Sequence, residues 1–184
     1  VMDIGIRPMW QPMSRIAGPA YPVRCAPGDN LMLHAAIYRA PSGAVIVVEA
    51  GDNDYAVSGG NVCAVAQRRG IAGFVVDGVI RDLAEVREMR FPVAARGVIP
   101  IPGGKQAIGV QNGRVRCGGV DVAPGDCVVA DEEGVVVVPV SRLDEVLDAS
   151  RARVDREAAQ SLDEWEVEHR ARIESILRQR GFTD

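Results

Sequence analysis

The most informative segment of this chain is residues 69–85, which read RGIAGFVVDGVIRDLAE. The apolar run at 74–76 predicts a buried strand, and the Asp-Gly step after it predicts a turn. Arg81 and Asp82 then carry adjacent opposite charges, and Glu85 stands three positions after Asp82. In open α/β architectures, chemistry collects just beyond the carboxyl ends of strands. We therefore expect a functional site here, because a guanidinium beside a carboxylate can bind an anion and a hard divalent cation together.

The same residues also allow a purely structural interpretation. Arg81 and Asp82 can form a surface ion pair, with Asp82 capping a helix that begins at Leu83. Glu85 then shares a helix face with Asp82, which suits a water-rich metal site and a solvated face equally. The residues alone leave both interpretations open.

The composition is that of a globular domain with no polynucleotide or membrane partner. The 184 residues are 47% hydrophobic and 25% charged, with a net charge of −4, and a chain of this length can bury a sizeable core. Acidic residues outnumber Lys plus Arg by 25 to 21, so binding to nucleic acid is not expected. No apolar run approaches the ~20 residues that a membrane span needs, and no signal-peptide pattern opens the chain.

Scarce residue types narrow the chemistry further. Four cysteines are scattered without a Cys-x-x-Cys pair, so we interpret them as buried thiols in a reducing cytoplasm. His34 and His169 are the only histidines, so any metal should be a hard ion held by carboxylates and water. His34 is interpreted as a satisfied, partly buried helix residue. The single lysine, Lys105, lies in a Gly-rich loop and is expected to be exposed, although a Schiff base is a chemical alternative.

The predicted fold is a single-domain α/β sandwich with a β-rich core over residues 1–140 and a helical extension over 141–184. Strands are predicted at 21–25, 44–49 and 73–76, and helices at 31–39, 61–69 and 83–89. Beyond residue 92 the chain is mostly β, with a hairpin at Asn112-Gly113 and strands at 127–130 and 135–138.

The helical extension is predicted to begin at Ser141, which forms a capping pair with Asp144. An unbroken helix of forty residues would span about 60 Å. It therefore either breaks near Gln160-Ser161 or reaches onto a neighbouring subunit.

A Gly-rich loop before the helix predicted at 61–69 is a candidate anion site. Unpaired backbone amides at a helix start attract anions, and Gly59-Gly60 would let a carboxylate come close. The structural alternative is a tight turn with Asn61 as the helix cap.

Several motifs together resemble the family that contains the regulator of ribonuclease activity A and the metal-dependent 4-hydroxy-4-methyl-2-oxoglutarate/4-carboxy-4-hydroxy-2-oxoadipate aldolases. The resemblance covers residues 8–140. It rests on these segments: RIAGPA at 15–20, GGN at 59–61 leading into 64–70, DGVIRDLAE at 77–85, GGV at 118–120 with PGD at 124–126, and DEEGVVVVP at 131–139. It implies an α/β fold assembled as trimers or hexamers, with sites between subunits.

The resemblance also implies roles for individual residues. In the aldolase branch, the arginine matching Arg81 contacts the 2-oxo acid, and the aspartate matching Asp82 ligates Mg²⁺ or Mn²⁺. Glu85 completes an Arg-Asp-x-x-Glu/Asp signature. The amides that hold the pyruvyl carboxylate belong to the loop matching these residues: Gly59, Gly60, Asn61 and Val62.

This chain departs from the aldolase pattern at two places. The family usually has an acidic residue twenty-one positions before the arginine, where this chain has Gly60; Asp52 and Asp54 are the nearby carboxylates that could compensate. The family also carries further helix before the segment matching Val1, so this chain is expected to begin late in the family's domain. Asp82 itself favours an enzyme, because the ribonuclease-inhibitor branch commonly lacks an aspartate there.

The function expected from these observations is a class II aldolase in the cytoplasm. It would cleave a 4-hydroxy-2-oxo acid to pyruvate and a second oxo acid, and the same enolate chemistry would decarboxylate oxaloacetate. With one lysine in the chain, Lewis-acid catalysis by Mg²⁺ or Mn²⁺ is favoured over an imine. The alternative is a non-catalytic protein that binds and regulates a ribonuclease.

Overall fold

The structure, a computed structural model, describes residues 1–182 and divides into two compact units, Val1–Ser141 and Arg142–Asp184. The strands are Arg7–Pro8 (β1), Ile16–Arg24 (β2), Val45–Glu49 (β3), Ala56–Ser58 (β4), Gly73–Ile80 (β5), Val93–Val98 (β6), Val110–Gln111 (β7), Val115–Cys117 (β8), Val120–Val122 (β9), Cys127–Asp131 (β10) and Gly134–Val138 (β11). The helices are Leu31–Arg39 (α1), Gly60–Arg68 (α2), Leu83–Glu88 (α3), Leu143–Ala158 (α4) and Leu162–Gln179 (α5). None of the helices among residues 1–182 combines the length and apolar character that crossing a membrane requires.

A mixed sheet is the framework of the first unit. Its strand order is β1-β6-β5-β3-β2-β10-β11, with β4 paired to β5 and β7 paired to β2. Strands β2, β3, β5 and β6 run parallel, so their carboxyl ends meet at one edge. The N-terminal segment links the two sides of the sheet, because Met2 N–H donates to the Val135 carbonyl of β11 at 2.9 Å while β1 pairs with β6. The sheet is therefore nearly closed, and the predicted α/β fold with a β-rich core is confirmed.

The two central strands carry most of the core. Residues 45–48 of β3 and 73–76 of β5 are fully buried, which explains their continuous β-branched and aromatic composition. Phe74 packs edge to face on Phe91, with ring centroids 4.9 Å apart and planes at 78°. These contacts fix the position of β5, and therefore also the position of the residues that follow it.

Helix α1 forms at the predicted residues, and α2 and α3 each lie within one residue of the predicted bounds. The strand predicted at 21–25 instead runs from Ile16 to Arg24. Proline and glycine in this segment argue locally against a strand, but pairing with β3 on one side and β10 on the other overrides that preference.

Three further predictions need correction. The loop predicted at 51–60 contains β4, which is too short to give a periodic signal. The turn predicted at Asp77-Gly78 is also wrong, because β5 continues through this step to Ile80 and its end pairs with β4. Asn112 does adopt a left-handed turn conformation, but the strands beside it do not form a hairpin. Strand β7 pairs with β2 and β8 pairs with β9, because long-range pairing outcompetes the local turn signal.

The predicted break in the C-terminal helix is confirmed, since α4 ends at Ala158 and α5 begins at Leu162. The predicted cap at Ser141 is wrong, because the residue before α4 is Arg142 and no side chain caps that helix. A capping box forms instead at Ser161, whose hydroxyl accepts from the Glu164 N–H while the Glu164 carboxylate accepts from the Ser161 N–H.

The second unit buries no side chain of α4 or α5 within the described part of the chain. A stripe of aliphatic and aromatic side chains nevertheless runs along α5 at spacings of three and four residues: Leu162, Trp165, His169, Ile173 and Ile176. Helices of this length gain most of their stability from packing such a face. The expectation that this unit packs on the same or a neighbouring subunit stays a prediction.

Truncating the aromatic core should cost much of the stability of the first unit. Phe74→Ala is expected to lower the free energy of unfolding by about 3–5 kcal/mol, because it removes a buried ring and leaves a cavity. Urea titration followed by circular dichroism measures the change. Val136→Ala on β11, where the side chain is 41% exposed, should change the free energy by less than about 0.5 kcal/mol.

If the α5 stripe contacts a second copy of the chain, charges on the stripe should dissociate the assembly. Trp165→Glu combined with Ile173→Glu is expected to lower the molar mass measured by light scattering after gel filtration. Val167→Glu, an exposed position outside the stripe, is the matched control and should leave the mass unchanged. An unaltered mass in the double variant would count against a subunit contact there.

Candidate active site

The site forms where β5 ends. The register of β5 against β6 shifts between Val76 and Val79. The last two residues of β5, Val79 and Ile80, pair with β4. The Arg81 N–H then donates to the Ser58 carbonyl at 2.9 Å. Because β4 leads through Gly59 directly into α2, this pairing places Arg81 beside the start of α2.

Asp82 points its carboxylate toward α2 rather than toward its own helix. It precedes α3 in a left-handed conformation with φ of 57°, which Asp adopts more readily than most residues. Its side chain makes no capping bond to α3. Instead, Oδ2 accepts from the Gly60 N–H at 3.1 Å and lies 3.4 Å from Arg81 Nε. The interpretation of Asp82 as a helix cap is therefore wrong, whereas the ion pair with Arg81 is present.

Close approach of acidic side chains, rather than backbone conformation, restricts the space at positions 59 and 60. The backbone of Gly59 is extended, but a Cβ there would overlap the Asp82 carboxylate. A Cβ on Gly60 would overlap the carboxylate of Glu85. Glu85 thus occupies the space into which a side chain at position 60 would project.

Asp52 and Asp54 are the two other candidate carboxylates, and both lie in the loop before β4. The Asp52 carboxylate accepts from the N–H groups of Gly28, Asp54 and Tyr55, so it organises the turn around residue 53. Asp54 is exposed in that turn. The carboxylate that lies next to position 60 is that of Glu85.

The first turn of α2 offers free backbone donors. The residue before the helix is Gly59 and no side chain caps it, so the interpretation of Asn61 as a cap is wrong. The Gly60 N–H is taken by Asp82. Within residues 1–182, the N–H groups of Asn61 and Val62 have no acceptor, as expected for a first helical turn that is open to an anion.

A cavity of about 50 Å³ adjoins these amides. It brings together four predicted site residues, Gly59, Asn61, Val62 and Arg81, and it also reaches residues that the sequence analysis did not assign to the site. Its lining residues are Asn30, His34, Ala56, Val57, Ser58, Gly59, Asn61, Val62, Arg81, Pro102 and Lys105.

His34 and Lys105 are therefore site residues that were missed. His34 is partly buried, as predicted, and it lines the cavity. Burial first, and then the positive charges of Lys105 and Arg81, lower the pKa of His34 to about 4. Asn30 and His34 are four residues apart at the start of α1. That spacing places both side chains on one helix face, and it was the sequence signal that could have linked them.

A profile of the family described as RraA-like, Aldolase/RraA, matches residues 1–137. The chain belongs to the RraA-like family. It is 42% identical over 146 residues to a Halalkalibacterium halodurans protein named "Putative 4-hydroxy-4-methyl-2-oxoglutarate aldolase", which covers 78% of this chain and 70% of that protein.

Solved structures in this family share the fold. The RNA-processing inhibitor RraA from Thermus superposes with a TM-score of 0.69 at 29% identity, over 75% of this chain and 84% of that one. An unusual member of the RNase ES inhibitor RraA protein family from Streptomyces coelicolor gives a TM-score of 0.74 at 30% identity, over 93% and 84% of the two chains. RraA-like relatives thus include proteins named as enzymes and proteins named as inhibitors.

The overlap between position 60 and Glu85 can be tested by a double-mutant cycle. Gly60→Ala is expected to stabilise α2 by less than the helix propensity of alanine alone would give, because the added methyl group displaces the Glu85 side chain. Adding Glu85→Ala should recover the remaining stability with a coupling energy of about 0.5–3 kcal/mol in chemical unfolding. Gly97→Ala is the control, since its Cβ would meet only Val79 Cγ1 at 3.8 Å. Additive effects of the two substitutions would show that Glu85 does not occupy this space.

Proposed function

We propose that this protein is a divalent-metal-dependent aldolase. Its substrate would be a 4-hydroxy-2-oxo acid such as 4-hydroxy-4-methyl-2-oxoglutarate or 4-carboxy-4-hydroxy-2-oxoadipate, cleaved to pyruvate and a second oxo acid. The observation that carries the proposal is the Asp82 carboxylate, which leaves its own helix uncapped and lies beside Arg81 and the Gly60 amide. A relative with 42% identity bears the name of this activity.

The donors at the site fit Mg²⁺ or Mn²⁺. No group of three His, Cys, Asp or Glu suitable for a metal occurs among residues 1–182, so this chain offers the carboxylates of Asp82 and Glu85 at most. Mg²⁺ typically keeps several waters and binds through one or two carboxylates, whereas zinc favours nitrogen and sulfur. We propose that Asp82 ligates the ion. When bound, the ion would act as a Lewis acid on the 2-oxo acid.

The residues around Asp82 supply the other requirements of the reaction. The N–H groups of Asn61 and Val62 would bind the carboxylate of the 2-oxo acid. Arg81 would donate charge-assisted hydrogen bonds to the 2-oxo oxygen as negative charge develops there during C3–C4 cleavage. Glu85, which is exposed to solvent, would orient a water that accepts the proton of the C4 hydroxyl. The same stabilisation of an enolate would support oxaloacetate decarboxylation.

A non-catalytic role as a regulator of a ribonuclease is the second candidate. It is favoured by the structural neighbours that are named RNA-processing or RNase ES inhibitors. The two functions make different demands on the site, because masking a partner needs an exposed surface and does not need the Asp82 carboxylate to face the α2 amides.

Removing the Asp82 carboxylate should abolish aldol cleavage. Asp82→Ala is expected to reduce Mg²⁺-dependent pyruvate release by more than about 100-fold, because losing a ligand should cost more than losing its supporting contacts. A coupled pyruvate assay with a panel of 4-hydroxy-2-oxo acids and oxaloacetate measures the effect. Asp54→Ala removes an exposed carboxylate outside the site and should retain full activity.

Two results would contradict the aldolase proposal. One is full activity of Asp82→Ala, or of the wild type in excess chelator. The other is a wild-type protein that releases no pyruvate from any substrate in the panel but is retained on immobilised RNA-degradation proteins, which would favour the regulatory role.

A further inference from the structure

The loop that carries Lys105 is fastened to the start of α1. Asp29 is 6% exposed, and its Oδ2 accepts from the N–H groups of Gln106 at 2.6 Å and Ala107 at 3.1 Å. A buried carboxylate that accepts several backbone bonds is a strong anchor. Lys105 is exposed, as predicted. The Asp29 bonds hold the backbone of its loop beside the start of α1.

Asn30 also bonds to this loop, and its buried side-chain oxygen has no hydrogen-bond partner. Its backbone N–H donates to the Gly104 carbonyl at 2.8 Å, and its Nδ2 donates to the Gly103 carbonyl at 3.1 Å. These bonds orient the amide so that Oδ1 faces away from both carbonyls. Asn30 is 3% exposed, and Oδ1 has no hydrogen-bond partner. A buried oxygen in this state needs a donor.

The two charged side chains that line the cavity, other than His34, are both positive. Lys105 and Arg81 line it together with the free amides of Asn61 and Val62, and no carboxylate is among its lining residues. Lys105 has no salt-bridge partner within the described part of the chain. A volume of about 50 Å³ suits a group the size of a carboxylate.

We propose that Lys105 and His34 complete the anion pocket that begins at the α2 amides, and that they bind the carboxylate of the 2-oxo acid. The identity of the ligand rests on the proposed function, whereas the pocket rests on the geometry above. Lys105 carries three ammonium donors. One would bond to Asn30 Oδ1, an unpaired acceptor that lines the same cavity, and the other two would be left for the ligand.

His34 couples binding to pH. The groups that face it are Lys105 and Arg81, which disfavour its protonation, and Asp29, which favours it. With its pKa lowered to about 4, His34 is neutral in the free protein at neutral pH. A carboxylate bound beside it offsets the two cations and raises the pKa toward its usual value of about 6.5. Binding therefore takes up a proton between these two pH values, and affinity increases as the pH falls through that window.

The test is calorimetric titration of pyruvate into the full chain saturated with Mg²⁺. Lys105→Met keeps the aliphatic stem but removes the charge, and it should raise the Kd for pyruvate by about 10- to 100-fold, as expected for losing a hydrogen bond to a charged group. Arg114→Met, which removes an equal charge from an exposed turn, should leave the Kd unchanged. Both side chains are exposed, and thermal melts of the ligand-free variants check that each retains the fold.

The role of His34 has its own readout. At pH 6, titrations in two buffers with different ionisation enthalpies should show that the wild type takes up a fraction of a proton on binding pyruvate. His34→Gln keeps a neutral polar side chain and should take up none, and its Kd should lose the wild type's decrease between pH 7.5 and pH 5.

The outcomes separate this pocket from the aldolase activity. Equal pyruvate affinity in the wild type and Lys105→Met would overturn the pocket and leave the aldolase proposal standing. A wild type that cleaves no 4-hydroxy-2-oxo acid, but whose pyruvate binding is weakened by Lys105→Met, would overturn the activity and retain the pocket. A wild type that binds no pyruvate would overturn both. Equal proton uptake in the wild type and His34→Gln would remove His34 from the pocket.

Discussion

The site depends on how closely the backbone at the start of α2 approaches two carboxylates. Gly59 lies against Asp82 and Gly60 lies against Glu85, so that neither position has room for a Cβ. This contact keeps Asp82 turned toward the Gly60 amide instead of capping α3. A side chain at position 59 would displace the Asp82 carboxylate, and one at position 60 would displace the Glu85 carboxylate. The left-handed conformation of Asp82 is maintained by the same contact, since strained residues persist where their surroundings determine them.

Around this contact, positive and negative groups are divided between two neighbouring regions. Under the proposed function, the Asp82 and Glu85 carboxylates would provide oxygen donors for a hard cation. The cavity beside them has Arg81, Lys105 and the free amides of α2, with no carboxylate in its lining. Arg81 belongs to both regions, because it pairs with Asp82 and also lines the cavity. A 2-oxo acid carries its carboxylate next to a polarisable carbonyl, and this division of charge matches that pair of groups.

Much of the fold could be predicted because it depends on local signals. The runs at 45–48 and 74–76 are apolar and β-branched because both faces of those strands are covered. Helix α1 and the break before Ser161 also follow from local patterns. The misses have a common cause. Strand β2 forms despite its proline and glycine residues, because β10, distant in sequence, supplies hydrogen bonds. For the same reason, β7 pairs with β2 and not with β8, the next strand along the chain.

For the site, the chain's residue order already indicated that Arg81, Asp82 and Glu85 follow a buried strand and that Gly59 and Gly60 precede a helix. Their adjacency depends on the pairing of β4 with the end of β5, and β4 has only three residues, too few to give a periodic signal. The same is true of Asn30, His34 and Lys105, which come from segments up to 75 positions apart and meet through hydrogen bonds made by Asp29 and Asn30. Residue types and spacing therefore reveal which chemistry is available. Which groups face one another is settled by long-range strand pairing and buried hydrogen bonds, whose partners are remote along the chain.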